Sequence, residues 1–465
     1  MQKSSLIRQI LALQPEERRG VERFLASPYC NLREDVQQLY AFIQQHLATK
    51  WKLLTKENAF AAVYPGQVFD KKKMRHLQSF LLKAIEAFLV QEELGKDQIW
   101  KEFFLLKAYR KRNMPRFFQK TLRRARNYHQ RGFRGVEHYE LAYALEWENY
   151  LFSAGQQRDA PSQIPILNQT LDTLFFCRRL KQSCLLQAHQ AVFKETDDPR
   201  LVQIIMEFLE GSPFLEVPLV AVYYYYLKAA QEPEHLAFYQ RFKQHVLEGK
   251  KDLPREERRT LILLAINYCI QRFNLGQEHF LREVFELYQA GLEDGSLLEN
   301  GRLSRFAFKN IVGIGLRLEE FAWTEAFIHD FKYALPPKYR DNYVHFSTSK
   351  LQYSQGNYEA AMQQLIQVEY DDLYLNLDAK ILLIKIYYEL DEWQALDSLL
   401  TSVKRFIQRK KLMGYHREAY LNIVQFVRKL LEVNPYDKSA KEALRKEIAT
   451  SPGLGEKDWL MEQLD

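Results

Sequence analysis

The sequence is poor in cysteine, glycine and proline. Its 465 residues include 4 Cys, 18 Gly and 15 Pro, so glycine and proline fall below their usual shares of about 7% and about 5%. Few helix breakers, together with 47% apolar residues, exclude collagen-like, low-complexity and wholly disordered chains. The composition favours an ordered, helix-rich protein, and the length predicts about two to four domains or a repeat array.

The cysteines are too few for a disulfide framework. Cys177 and Cys184 lie on one expected helix at a separation of about 10 Å by the helical rise, whereas a disulfide spans at most about 7 Å between Cα atoms. We therefore expect Cys30, Cys177, Cys184 and Cys269 to be small, buried apolar side chains.

A secretion signal and long apolar runs are also missing. Charged residues, beginning with Arg8, interrupt the first apolar stretch. The longest strongly apolar run, from Leu261 to Ile270, contains Asn267 and has about half the length of a membrane helix. The sequence therefore predicts no membrane insertion and a cytoplasmic location.

Signatures of catalysis are absent as well. The chain has no G-x-x-x-x-G-K-[ST] loop, no H-E-x-x-H and no C-x-x-C pair. Gly313-Ile314-Gly315 does not follow a strand, so it is interpreted as a site of close helix packing rather than a phosphate loop. We expect a protein that is not an enzyme, with no catalytic residue, no cofactor and no metal.

Apolar residues recur at helical spacing almost throughout the chain, which predicts an all-α fold. The run of four tyrosines at 223–226 has strand propensity, but its apolar flanks favour a helix. We divide the chain into an N-terminal helical region at 1–96, divergent helical hairpins at 97–309, clearer repeats at 310–448 and a C-terminal tail at 449–465.

A repeat of 35 residues is the strongest sign of organisation. Gly356, Tyr358 and Ala361 have offsets of 0, +2 and +5, and Asp391, Trp393 and Leu396 follow one period later. One period earlier, the same alignment selects Phe321, Trp323 and Ala326. In each unit an aromatic side chain would fill the gap between two helices, and the residue three positions later would lie on the same face.

These three units resemble tetratricopeptide repeats, which have a period of about 34 residues and a helix–turn–helix form. The resemblance is clearest over 310–407, and only Gly356 keeps the glycine at the turn. Over most of its length, in stretches such as FLASPYCNLREDVQQLYAFI, the chain also resembles an uncharacterised family of bacterial all-helical proteins. The resemblances imply stacked antiparallel hairpins in a solenoid and transfer no functional site.

The repeat phase selects a candidate partner-binding groove. In tetratricopeptide hairpins the first helix lines the concave face, so residues that precede the turn by equal distances would form a ladder there. Such a ladder suits a protein or peptide segment with acidic and apolar residues. An alternative is that the two tyrosines of this ladder, Tyr353 and Tyr388, pack against the neighbouring repeat. The predicted groove residues are Phe346, Lys350, Tyr353, Ile381, Lys385 and Tyr388.

A basic stretch gives a second candidate surface. The first 136 residues carry 27 Lys+Arg and 12 Asp+Glu, a net charge of +15, and the remainder carries 39 and 47, a net charge of −8. No acidic residue occurs between Glu102 and Glu137. A basic hairpin at 103–136 would bind nucleic acid or another acidic polymer, or it would be a solvated or internally neutralised face. Its candidate residues are Lys107, Arg110, Lys111, Arg112, Arg116, Lys120, Arg123, Arg124 and Arg131.

The predicted function is a non-enzymatic scaffold that binds a partner segment in the repeat groove. Nucleic-acid or ribonucleoprotein binding through the basic hairpin is the alternative, and the sequence indicates no oligomeric state. In the tail, Trp459, Leu460 and Leu464 would share one side of a short helix. That helix would pack on the last hairpin or fray, or it would dock in a groove of this chain or of another molecule.

Overall fold

A computed structural model shows an all-α protein. It describes residues 1–2, 4–47, 51–131, 134–154, 163–190, 198–249, 253–368, 372–409, 414–434, 436–451 and 454–464. These ranges contain 23 α-helices and no strand, apart from an isolated bridge between Glu299 and Arg302. None of these helices is long and apolar enough to cross a bilayer.

The chain divides into two units, Met1–Phe175 and Phe176–Asp465. This division is coarser than the four predicted regions, whose bounds stay a prediction. The first unit contains α1 Ser5–Ala12, α2 Pro15–Ala26, α3 Glu34–Leu47, α4 Lys56–Val63, α5 Lys71–Lys96, α6 Gln98–Lys111, α7 Pro115–Arg131, α8 Val136–Ala154 and the first part of α9 Ile164–Gln190.

Helix starts in the first unit follow local capping chemistry. Pro15 begins α2 and needs no amide partner in the first turn. Thr55 accepts a hydrogen bond from the Asn58 amide at 3.1 Å, and Asp70 caps α5 through two backbone amides. The apolar faces of α1 to α5 form one buried core, and α6, α7 and α8 form another around Leu106 and Phe118.

The second unit consists of neighbouring helix pairs. The four tyrosines at 223–226 lie in its second complete helix, as the apolar flanks predict. The helices that follow α9 are α10 Arg200–Leu209, α11 Pro218–Gln231, α12 Leu236–Glu248, α13 Arg255–Asn274, α14 Phe280–Glu293, α15 Arg305–Arg317, α16 Phe321–Phe331, α17 Pro337–Ser354, α18 Tyr358–Ile366, α19 Leu373–Glu389, α20 Trp393–Arg409, α21 Gly414–Glu432, α22 Lys438–Thr450 and α23 Lys457–Glu462.

The hairpins α15/α16, α17/α18 and α19/α20 are joined by the same turn. Glu319, Gly356 and Asp391 adopt left-handed backbone angles, with φ of 59°, 79° and 58°. In each hairpin the next residue donates its amide to the carbonyl five residues back at 2.9 Å. This bond satisfies a carbonyl at the end of the first helix and reverses the chain.

The structure corrects the alignment of the first of these repeats. Phe321, which we aligned with Gly356 and Asp391, is not at the turn, because Glu319 occupies the equivalent position. Two sets of equivalent residues then follow: Phe321, Tyr358 and Trp393 begin the second helices, and the fully buried Thr324, Ala361 and Leu396 come three residues later. Trp323 and Ala326 are therefore not the counterparts of Tyr358 and Ala361.

Gly315 confirms the prediction of close helix packing, whereas Gly313 has a different environment. A Cβ atom at Gly315 would overlap Thr324 Oγ1 on α16. At Gly313 the nearest atom to such a Cβ would be Lys350 Nζ, at 3.9 Å. Of these two glycines, Gly315 is therefore the one that helix packing requires.

The cysteines are free in the described residues. Cys177, Cys184 and Cys269 are buried, as expected, whereas Cys30 is only half-buried. Burial raises the pKa of the Cys177, Cys184 and Cys269 thiols, so these three side chains behave as small apolar groups.

Candidate partner-binding groove and basic helix

Four helices, Tyr358 at the start of α18 and the chain's own C-terminal segment, residues 454–464, line a cavity of about 1010 Å³. The helices are α15, α17, α19 and α21, of which the first three pack side by side as the first helices of successive hairpins. Five of the six predicted groove residues line this cavity: Phe346, Lys350, Tyr353, Ile381 and Lys385.

The predicted residues have different roles in the cavity wall. Phe346 and Ile381 are buried, so they are core side chains with one edge towards the cavity. Tyr353 is half-buried, and its hydroxyl donates to Glu389 at 3.3 Å. Tyr353 and Tyr388 both contact neighbouring helices, as the alternative interpretation predicts, while Tyr353 also lines the cavity.

Tyr388 is the predicted groove residue that does not line the cavity. Its ring instead packs edge-on against Trp393 and Trp459, with centroids 5.5 Å away in both pairs. Burial raises the pKa of its hydroxyl. Tyr388 therefore supports the C-terminal segment from behind and is corrected from a groove-lining residue to a packing residue.

The C-terminal segment docks on the chain's own groove. Glu456 forms an ion pair with Lys385 at 2.7 Å, and Asp458 forms one with Arg317 at 2.7 Å. Trp459 donates its indole N–H to Glu389 at 2.8 Å. The same segment buries Trp459, Leu460 and Leu464 in the core of the last helices, so it both packs on the last hairpins, as one of our alternatives predicts, and occupies the groove. Residues 452, 453 and 465 of the predicted tail lie outside the described residues.

Lys385 is the centre of the contact between groove and segment. Its side chain is 12% exposed, and its ammonium lies 4.8 Å from the Tyr353 ring centroid and 5.4 Å from that of Trp459. Burial would raise the pKa of Glu456, but Lys385 and Lys350 hold it below its ordinary value. Glu456 is therefore ionised at neutral pH, and the pair combines charge attraction with cation–π contacts.

Sequence reasoning missed the residues that join the segment to the groove. Arg317 and Glu389 each lie two residues before a turn residue, Glu319 or Asp391. The alignment that placed Phe321 at the turn did not make them equivalent. Glu456 was not selected, although it lies one helical turn before Trp459, which was noted. No local pattern in the sequence pointed to the pairing of Glu456 with Lys385.

The basic hairpin is partly neutralised by its neighbours. Arg110 pairs with Glu148 at 2.6 Å and Arg124 with Glu102 at 2.5 Å. Both carboxylates are buried, so these two arginines hold α6, α7 and α8 together. Arg126, which also lies in this stretch, pairs with Glu146 at 2.8 Å. Arg110 and Arg124 are therefore corrected from free candidate contacts to structural ion pairs.

The remaining basic side chains include an exposed row on α7. Arg116, Lys120 and Arg123 are spaced four and three residues apart, which places them on one helix face, and all three are exposed. Lys111 and Arg112 are also exposed, and Lys107 is half-buried. No ion pair involves these six side chains in the part of the chain that is described. The side chain of Arg131 lies outside the described residues.

Among the described side chains, no group of three or more His, Cys, Asp or Glu residues could hold a metal ion. Comparisons with family models, with curated proteins and with solved structures found no match for this chain. The candidate sites therefore rest on their own geometry.

Proposed function

We propose that this protein is a non-enzymatic scaffold that binds a short helical segment of a partner protein in the groove of α15, α17, α19 and α21. The observation that carries the proposal is the groove's present occupant. A short helix is held there by an acidic residue on Lys385 and by an aromatic residue three positions later on Glu389. A partner segment with the same acidic–aromatic spacing would make the same contacts in place of residues 454–464.

The arrangement of charges supports binding rather than catalysis. Lys309 pairs with Asp378, Lys385 with Glu456 and Arg317 with Asp458. These pairs hold elements together, and none joins a nucleophile to a general base. We also infer that the hairpins from α15 onward are tetratricopeptide-like, that the whole chain belongs with the bacterial all-helical proteins it resembles, and that it works in the cytoplasm.

The first test uses a labelled peptide, LGEKDWLMEQL, with the sequence of residues 454–464. In the intact chain the tethered segment competes at an effective concentration in the millimolar range. Releasing it in the full chain by Glu456→Lys together with Trp459→Ala should therefore tighten peptide binding about tenfold or more. Fluorescence anisotropy measures the affinity.

The specificity control adds one lysine change to the released variant. Lys385→Glu should weaken the peptide about tenfold or more, because it removes an ion pair and places like charge beside Glu456 of the peptide. Lys404→Glu, at an exposed lysine on α20, should leave the affinity unchanged. Circular dichroism checks that helix content is kept. Equal affinity in the Lys385→Glu and Lys404→Glu variants would contradict the proposed groove.

The exposed row on α7 favours nucleic-acid binding as a second candidate function. Arg116, Lys120 and Arg123 form a cationic stripe without acidic partners among the described residues. Phe117 and Tyr128 on the same helix are also exposed and offer stacking surfaces. The stripe would contact phosphates without reading sequence.

The second test measures binding of single-stranded RNA at several salt concentrations. Changing Arg116, Lys120 and Arg123 together to glutamine should weaken binding and reduce the salt slope by about two to three, since each lost phosphate contact removes close to one released counterion. Changing Arg124 is not a suitable test, because it would leave the buried Glu102 carboxylate unpaired. An unchanged affinity and slope in the triple variant would remove α7 as a nucleic-acid surface.

A further inference from the structure

The cavity contains one lysine, Lys350, for which no ion pair or hydrogen bond is found among the described residues. Lys350 extends from α17 into the cavity, and its ammonium lies over Gly313 of α15, where a Cβ atom would be 3.9 Å away. The absence of a side chain at Gly313 leaves room beside this ammonium. The volume of about 1010 Å³ is sufficient for a small-molecule ligand.

Lys350 differs from the other cations around it. Lys309, Arg317 and Lys385 each form an ion pair with a carboxylate. Within the described residues, no hydrogen bond or ion pair involves Lys350. The Lys350 side chain is half-buried, so its ammonium has lost part of its hydration and would be stabilised by an anionic partner in the cavity.

The carboxylates that line the cavity are already engaged, with one exception. Asp378 pairs with Lys309 and accepts from Tyr420 at 2.7 Å. Glu389 accepts from Tyr353, Trp459 and Gln463. Glu456 and Asp458 pair with Lys385 and Arg317, and the remaining one, Glu462, is exposed. Lys350 is therefore left without a carboxylate of its own.

Charged side chains of both signs surround Lys350. Burial lowers the pKa of Lys350, and Lys385 and Lys309 lower it further, while Glu456 and Asp378 act in the opposite direction. Glu456 and Asp378 are paired with Lys385 and Lys309, so an oxyanion in direct contact with the Lys350 ammonium would offset the burial of its charge.

We propose that the cavity is a binding site for a small oxyanion, a phosphate or a carboxylate compound, held by Lys350 beneath the docked C-terminal segment. The anion's oxygens accept hydrogen bonds from the Lys350 ammonium, and the open space beside Gly313 accommodates the rest of the compound. This is a ligand site distinct from the contacts that hold the partner segment, since the segment's acidic residues bind Lys385 and Arg317 instead.

Calorimetric titration of the full chain at low ionic strength tests the site, with inorganic phosphate, pyrophosphate and succinate as separate probes. At least one probe should bind, and Lys350→Met, which keeps the apolar stem and removes the charge, should weaken it about tenfold or more. Lys404→Met is the matched control and should bind like the unaltered chain. The phosphate and succinate arms distinguish the two sources of the oxyanion.

A second measurement guards against a folding defect in the Lys350→Met variant. The ¹³Cε resonance of Lys350 in the unaltered chain, followed through a pH titration, should show a higher pKa when the bound probe is present, because an anion stabilises the charged form. Absence of binding by all three probes, equal binding in Lys350→Met and Lys404→Met, or a Lys350 titration that the bound probe does not move would each overturn the proposal.

Discussion

Replacing Trp459 with alanine is expected to weaken docking of the C-terminal segment by about 3–5 kcal/mol, the usual cost of truncating a buried tryptophan. The Trp459 side chain is almost fully buried, and its indole N–H donates to Glu389 at 2.8 Å. Its ring also contacts Tyr388 and the Lys385 ammonium. A single change therefore removes apolar burial, a charge-assisted hydrogen bond and a cation–π contact together.

The effect should remain local, because the segment can leave the groove while the preceding helices stay folded. Hydrogen exchange measures it at the amides of Leu460 and Gln463, which bond to the carbonyls of Glu456 and Trp459 at 3.0 and 3.2 Å. Both amides should lose protection, whereas amides within α19 should not. Trp393→Ala is the control. Trp393 is 46% exposed, so its replacement should weaken docking of the segment much less. Unchanged protection at Leu460 would show that Trp459 does not hold the segment.

The groove could be predicted from sequence because it depends on repeat phase. Residues six and three positions before each turn lie on one face of the first helix, so aligning Gly356 with Asp391 was sufficient to select Lys350, Tyr353 and Lys385. The same rule also selected Tyr388, which packs against Trp459 and does not line the cavity. No local pattern encodes the segment that covers the groove. Lys385 and Glu456 are 71 residues apart in sequence, and Arg317 and Asp458 are 141 residues apart, so their pairing depends on how several hairpins stack.

The error in the first repeat has a physical origin. A left-handed turn residue is usually glycine, and two of the three turns use Glu319 and Asp391 instead, which conceals the turn in the sequence. A fixed period of 35 residues then placed Phe321 at the turn, although the real interval from Glu319 to Gly356 is 37 residues. Two nearby aromatic residues, Phe321 and Trp323, made the wrong register look acceptable.

The basic hairpin shows the corresponding limit for charge. The acid-free window correctly located a concentration of positive charge, but the carboxylates that neutralise it lie at or beyond the window's edges. Glu102 precedes α7, and Glu146 and Glu148 lie on α8. Helix packing alone decides which arginines they reach, so the sequence could not separate Arg124, which is paired, from Arg123, which is exposed.

Replacing Gly315 with alanine is expected to lower the free energy of unfolding by about 1–3 kcal/mol, the usual cost of overpacking a core. The new methyl group would overlap Thr324 Oγ1, and Phe285 closes the space on another side at 3.7 Å. Thr324 is fully buried, so it has little room to move away. Chemical denaturation measures the change.

Gly313→Ala is the matched control in the same helix, two residues away. Its new methyl group would meet only Lys350 Nζ at 3.9 Å, an ordinary contact. Alanine loses less backbone entropy than glycine in a helix interior, so this variant should gain about 0.5–1 kcal/mol. If the two glycine-to-alanine changes shift the free energy of unfolding in opposite directions, packing against α16, rather than helix propensity, decides the outcome at Gly315.

A double-mutant cycle identifies the clashing atom. Thr324 Oγ1 is buried and has no hydrogen-bond partner among the described residues, so Thr324→Ala removes an unsatisfied hydroxyl and should cost little by itself. Combined with Gly315→Ala, it should recover most of the lost stability, giving a coupling energy of about 1–3 kcal/mol. Thr324→Ser keeps the oxygen and should not rescue Gly315→Ala. If the effects of Gly315→Ala and Thr324→Ala on the free energy of unfolding simply add, the strain lies elsewhere. The close approach of α15 to α16 would then have a cause other than the missing Cβ of Gly315.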